Sequence, residues 1–177
     1  MKLTWFGGTT VRIHIGGAIL VVDAEGAPDG IDKAELISGA DMVVDAFGAG
    51  LPAIDMASWR PRKLPRMLDE GEELPKVEAW SAGAGAMLVE AVGEPPLLLL
   101  VGDVPRLGRW ADGAVVALFG GGKELSRMGL AVLADTPPRL IALAGDEAAV
   151  DAAISALREG LDGAGLVALE AGMALEI

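Results

Sequence analysis

The chain has 177 residues, of which 52% are hydrophobic and 23% charged, so it can form the core of one domain and differs from disordered chains. Its formal net charge of -12 would repel a polyanion, which argues against nucleic acid as a partner. The absence of cysteine excludes disulfides and thiolate ligands, and no apolar run is long enough to span a bilayer.

The amino-terminal part of the chain predicts a β-meander. Apolar and polar residues alternate at 3–5 and at 11–15, which is the period of a half-buried strand. Gly16-Gly17 then separates the second run from the apolar run 18–22, as in a tight hairpin. The first residues lack the apolar core and cleavage site of a signal peptide, so we expect a cytoplasmic protein.

The middle of the chain predicts short strands between irregular connections. A short helix is predicted at 32–37, followed by a buried strand at 41–44 that leads into the glycine-rich stretch 47–50. Residues 55–75 are rich in proline and charge and predict an irregular segment. Three further strands are predicted after it, at residues 76–80, 86–91 and 97–101.

The last third of the chain predicts two helices among short strands. Asp146 is a typical N-cap and Gly160 a typical helix end, with an apolar stripe between them, which predicts a helix at 146–160. A second helix is predicted at 124–134, ending before Pro137. The strands predicted around these helices lie at residues 114–118, 140–143, 166–169 and 174–177. The last two are predicted to pair as a hairpin around Gly172.

This element order predicts the fold class. Helices inserted singly among many strands favour two mixed β-sheets packed face to face, with the helices outside. We therefore predict an α/β fold arranged as a four-layer αββα sandwich, formed by one domain over residues 1–177.

The single histidine limits the chemistry that the chain can perform. His14 lies in the polar phase of its strand, so we expect it at the surface. One imidazole does not provide the several histidines that catalytic zinc sites usually contain. A Ser-His-Asp triad would also need this residue, and the sequence has no Gly-x-Ser-x-Gly elbow.

Glycine clusters at 48–50, 83–85 and 120–122 raise the question of a phosphate-binding loop. None of them has the full pattern of a P-loop or of a dinucleotide-binding fingerprint. Glycine in tight turns is therefore the favoured interpretation of all three clusters.

Three aspartates follow predicted strands: Asp23, Asp45 and Asp103. If these strands end at one sheet edge, the three carboxylates could meet in a cleft and form a residual pocket. Each aspartate is also a common turn former or helix N-cap. The sequence leaves both interpretations open.

The segment 54–74 is a candidate contact surface. Its apolar residues, which alternate with arginines and prolines, are Met56, Trp59, Leu64, Met67 and Leu68. The alternative is that they cover the core beneath a loop. The basic residues of this segment, Arg60, Arg62, Lys63 and Arg66, are interpreted as a solvated loop.

Taken together, these segments resemble the metal-dependent hydrolase branch of the metallo-β-lactamase superfamily, in register over nearly the whole chain. The first three strands of that branch are similar to residues 1–23. Leu97 to Val101 with Gly102-Asp103 resembles its strand ending in Gly-Asp-Thr, with Val104 in place of threonine. Residues 111–121 and 167–177 resemble its closing segments. The resemblance implies the αββα fold of that superfamily.

The same resemblance implies that the metal site has been lost. The family places His-x-His-x-Asp-His after a strand like 41–44, and the ligand positions here hold Ala46, Gly48, Gly50 and Leu51. The other family histidines would fall at Gly8, within 80–83, and near Ala144 and Gly145. Only Asp103, at the position of the bridging aspartate, retains ligand chemistry.

Three functional hypotheses follow. The first is a non-catalytic member with a binding or structural role, without zinc or another cofactor, whose partner is a small molecule or a protein. The second is a hydrolase with a remodelled Mg²⁺ or Mn²⁺ site of carboxylates. The third is a zinc ion held between chains through His14. Self-association is left open by the sequence.

Overall fold

The computed structural model describes residues 1–45, 47–62 and 77–177, which form two mixed β-sheets and three α-helices. The strands are β1 Lys2–Gly7, β2 Thr10–Ile15, β3 Ala18–Val22, β4 Met42–Val44, β5 Val77–Ser81, β6 Ala86–Ala91, β7 Leu97–Leu100, β8 Val115–Phe119, β9 Leu140–Ala144, β10 Gly165–Ala168 and β11 Ala174–Glu176. The helices are α1 Lys33–Ile37, α2 Gly122–Asp135 and α3 Glu147–Leu157. Within the described ranges, none of these helices has the length and apolar character needed to cross a bilayer.

The first sheet has five strands in the order β11-β1-β2-β3-β4. The β2–β3 hairpin is confirmed, with Ile13 opposite Leu20, and Gly16 and Gly17 both have the positive φ that its tight turn requires. Strand β4 pairs in parallel with β3, so Asp23 and Asp45 both follow the carboxyl ends of neighbouring strands. The prediction that β4 is buried was wrong, because it is the terminal strand and Val43 is 44% exposed.

The second sheet has six strands in the order β10-β9-β8-β7-β6-β5. Strands β7 to β10 are mutually parallel, and β5 and β6 continue the sheet in antiparallel pairing. The central strands β6, β7 and β8 are buried at every position and apolar at every position except Glu90 of β6, as expected for strands covered on both faces. The carboxyl ends of β5, β7, β8 and β9 therefore lie at one edge of this sheet.

The two sheets pack face to face around an apolar core. Inward residues of the first sheet, such as Leu3, Ile13 and Leu20, form one buried cluster with Met87 and Leu99 of the second. Helices α2 and α3 pack on the opposite face of the six-stranded sheet, while Leu36 of α1 packs against Val21 on the outer face of the five-stranded sheet. The predicted α/β class with two mixed sheets is confirmed.

The helix predictions were correct in position and imprecise at the ends. Asp32 and Asp146 are the N-caps of α1 and α3, and each side chain accepts hydrogen bonds from backbone amides of the first turn. Helix α3 was predicted to end at Gly160, but its last residue is Leu157. Helix α2 extends one residue further than predicted at its carboxyl end and starts two residues earlier.

The predicted hairpin of the last two strands was wrong. Strand β10 pairs in parallel with β9 in the six-stranded sheet, whereas β11 pairs antiparallel with β1 in the five-stranded sheet. Gly172, with a φ of 80°, lies in the connection and donates its backbone N–H to Trp5 O. The chain therefore passes from the six-stranded to the five-stranded sheet between β10 and β11, and each of these strands lies at the edge of its own sheet.

The described part of the segment 54–74 covers the core. Met56 is 2% and Trp59 9% exposed, and Trp59 makes edge contacts with the rings of Trp80 and Trp110. These two residues therefore do not form a contact surface, and the alternative of a core covering is confirmed for them. Leu64, Met67, Leu68, Lys63 and Arg66 lie outside the described residues.

Candidate functional site

The loop after β4, where the resemblance places the metal-binding signature, packs against the end of the six-stranded sheet. Phe47 is partly buried, and its ring meets that of Phe119 edge to face with centroids 5.2 Å apart. Leu51 also packs against the core between the sheets. Apolar side chains of this loop therefore occupy the space beside the carboxyl end of β8. Ala46 lies outside the described residues.

Gly48 brings the same loop into close contact with the β5–β6 turn. Its φ is +72°, and a Cβ at this position would lie 2.8 Å from Ser81 Oγ and 3.1 Å from the carbonyl oxygen of Ala86. Any larger side chain would crowd Ser81 and the Ala86 carbonyl and would strain the backbone, because this φ is one that residues with a Cβ rarely adopt. Glycine is therefore the residue that this conformation favours at a position where the resemblance places a metal histidine.

A second close contact joins the ends of β8 and β9. Phe119 is paired with Ala144, and Gly120 donates its N–H to the carbonyl oxygen of Ala144. A Cβ at Gly145 would lie 2.8 Å from the carbonyl oxygen of Gly120. Backbone contact therefore closes this edge at a further position where the resemblance places a metal histidine.

Asp23 is engaged within its own turn. It has a φ of 52°, which is uncommon outside glycine, and its carboxylate accepts hydrogen bonds from the Thr9 hydroxyl and from the N–H of Gly26. The Thr10 hydroxyl, which is fully buried, donates to the backbone oxygen of Asp23 at 2.8 Å. Asp23 thus acts as the N-cap of a short 3₁₀ turn at Ala24–Gly26.

Asp45 and Asp103 are both at the surface. The side chain of Asp103 is 99% exposed, and its carboxylate lies 3.3 Å from Arg127 Nη1 of helix α2. The same guanidinium donates to the carbonyl oxygen of Gly102 at 3.1 Å. Asp45 is exposed just beyond β4. Within residues 1–45, 47–62 and 77–177, no three histidine or acidic side chains form a group able to hold a metal ion.

His14 is exposed on the outer face of β2, as the alternation of its strand predicts. It lines a surface cavity together with Lys2, Glu94 and Glu176, at the opposite end of β2 from the loop that follows β3. Partial burial, and then the positive charges of Arg12 and Lys2, lower the pKa of His14. The imidazole is therefore held in its neutral form more strongly than in an unfolded chain.

We expect an NMR titration to place the His14 midpoint below the ordinary value of about 6.5. The urea-unfolded chain supplies the reference, and as the only histidine His14 gives one imidazole signal in each state. Because the folded pKa is lowered, the contribution of His14 to stability falls as the pH drops through its unfolded pKa. The Lys2→Gln variant should move the midpoint upward, and a folded midpoint at or above the unfolded one would contradict this account.

The sequence did not predict one concave feature, which lies just beyond the carboxyl ends of β8 and β9. It is an open cleft between the first turns of α2 and α3. Lys123, Ser126 and Asp146 line it above a floor of glycine and alanine. Helix α2 has no side-chain cap, and Asp146 and Glu124 place negative charge nearby. The glycine triplet 120–122 was the available sequence signal.

Comparison with known proteins gives no match: no family model, no curated protein and no solved structure is similar to this chain at a significant level.

Proposed function

We propose that this chain is a non-catalytic protein related to the metallo-β-lactamase superfamily, with a binding or structural role and no resident metal. The contact between Phe47 and Phe119 carries this proposal. It puts an apolar ring from the signature loop against the core, in the region where a catalytic site would need room for a metal and a water molecule.

The backbone contacts of the same edge support the proposal. Gly48 lies against Ser81 and Ala86, and Gly145 lies against Gly120, so neither position has room for a metal-binding side chain in this backbone. A degenerate site of this kind differs from one that has merely lost its ligands by substitution. The close backbone contacts at Gly48 and Gly145 support a fold that serves a purpose other than metal chemistry.

The overall arrangement is compatible with the four-layer αββα sandwich of the superfamily. Two mixed sheets face each other, α2 and α3 cover one outer face, and α1 covers part of the other. A short helix is a thin fourth layer. The similarity in sequence segments and this layering together favour the superfamily assignment, and the loss of a metal site presupposes that relationship.

The positions of the three aspartates do not favour the hydrolase with a remodelled carboxylate site. Asp23 accepts its hydrogen bonds within a turn, and Asp103 is paired with Arg127 in solvent. Mg²⁺ and Mn²⁺ sites need several oxygen ligands at fixed distances. A partner of the proposed non-catalytic protein would be a small molecule or another protein.

We expect elemental analysis of the untagged protein, expressed with added zinc, manganese and iron and then dialysed, to find less than about a tenth of an equivalent of any metal. The Asp103→Ala and His14→Ala variants, analysed in parallel, should give the same values. Near-stoichiometric metal would contradict the proposal. Loss of that metal in the first variant would favour a carboxylate site, and loss in the second would favour zinc between chains.

A further inference from the structure

Strand β10 is the least covered strand of the six-stranded sheet. The residues of β6 to β8 are buried throughout, whereas Gly165, Leu166 and Val167 of β10 are half-buried and Ala168 is exposed. It is the terminal strand, and in the part of the chain that the structure describes no strand pairs with its outer side. Such an edge is a template for pairing with another strand.

The backbone of β10 determines which groups face outward. Gly165 N–H donates to Arg139 O at 3.0 Å and Leu169 N–H to Leu143 O at 2.8 Å, so the odd-numbered residues bond to β9. Successive residues of a strand point their backbone groups to opposite sides. The N–H and C=O groups of Leu166 and Ala168 are therefore directed away from the sheet.

The other three sheet edges are protected in the described part of the chain. Ala53 forms a bridge with Ser81 along the outer side of β5. Strand β4 lies between Asp41 and Asp45, which would face each other if two copies paired about Val43. Strand β11 is three residues long and contains Glu176. Charge and short length are common devices against edge pairing.

We propose that β10 pairs with β10 of a second copy of this chain, antiparallel and about a two-fold axis through Val167. Leu166 would then lie opposite Ala168 of the other copy, and the outward groups would form about four backbone hydrogen bonds. No charged residue lies within the paired strand, so a chain with a net charge of -12 meets its copy at a neutral edge. The two six-stranded sheets become continuous.

Sedimentation velocity over a range of protein concentrations tests this proposal directly. The wild-type chain should form dimers, and Ala168→Pro should weaken the dimer by at least about tenfold in Kd, since proline removes one outward N–H. The bonds to β9 do not use that N–H, so circular dichroism should show an unchanged fold. Ala168→Lys, which adds charge at the exposed edge, should weaken the dimer as well.

Ala131→Lys is the matched control, because it makes the same substitution at an exposed alanine of α2. It should leave the dimer unchanged. A wild-type chain that stays monomeric at the highest concentrations overturns the proposal. A dimer that resists both substitutions at Ala168, or that responds equally to the α2 control, overturns it too. None of these outcomes depends on the metal content, so failure here is distinct from failure of the proposed function.

Discussion

Replacing Glu90 by glutamine should destabilise the fold by about 1.5–3 kcal/mol, because it removes the charge from a buried carboxylate that accepts hydrogen bonds from Arg62. Glu90 is 1% exposed, and its Oε2 accepts a hydrogen bond from Arg62 Nε at 2.6 Å. The backbone N–H of Arg62 donates to the other carboxylate oxygen. Glutamine preserves the volume of the side chain but leaves the guanidinium without this buried counter-charge.

The neighbours of Glu90 are charged residues, one acidic and one basic. Glu78 lies directly opposite Glu90 on the neighbouring strand, where like charges are unfavourable, and Arg62 Nη1 is 3.2 Å from Glu78 Oε2. Arg62 thus bridges two strands and attaches the end of the segment 52–62 to the six-stranded sheet. This attachment is a tertiary interaction between residues distant in the sequence.

Urea unfolding of the wild type and of Glu90→Gln measures the difference in the free energy of unfolding. Glu25→Gln is the control, because Glu25 also forms an ion pair, with Lys33 at 2.9 Å, but its side chain is 81% exposed. Exposed pairs contribute little, so we expect a change below about 1 kcal/mol for the control. Equal effects of the two substitutions would show that the burial of Glu90 does not determine its contribution.

Replacing Trp110 by alanine should destabilise the fold by about 3–5 kcal/mol, because it leaves a cavity in the core. The side chain is 6% exposed, and its ring meets that of Trp59 edge to face at 4.9 Å. Its Nε1 donates to the carbonyl oxygen of Met56 at 2.7 Å. Trp110 therefore joins the 3₁₀ turn Arg109–Gly113 to the segment that covers the core.

The Trp110→Phe variant separates the hydrogen bond from the packing. It retains most of the aromatic contact and should lose only about 1–3 kcal/mol, for the unpaired Met56 carbonyl and the smaller ring. Leu130→Ala on α2, where the side chain is 48% exposed, is the control for a large apolar residue outside the core. If alanine and phenylalanine at position 110 were equally destabilising, the hydrogen bond would account for the whole effect and the packing argument would fail.

Local patterns predicted most of the secondary structure because they report short-range physics. Alternation at 11–15 and the two glycines after it specify a hairpin whatever the rest of the chain does. Asp32 and Asp146 mark helix starts because a carboxylate satisfies free amides of the first turn. The surface position of His14 followed from the same alternation.

Local sequence patterns did not predict which strands pair with each other or which strands lie at the edge of a sheet. Residues 166–169 and 174–177 look like a hairpin, since a glycine lies between two short apolar runs, yet they belong to different sheets. Likewise, the apolar residues of β4 give no sign that this strand is terminal. Strand pairing over long sequence separations is decided by which edges remain free once the core has packed.

The sequence by itself determined the α/β class, the helix starts, the exposed histidine and the absence of histidines at the positions where the resemblance places metal ligands. Only the tertiary structure decided how Asp23, Asp45 and Asp103 are placed and how Phe47 packs on Phe119. The physical reason is that composition and spacing show which metal-binding side chains a chain contains. Whether side chains converge, pair with a neighbour or fill a space depends on the sheets that bring distant residues together.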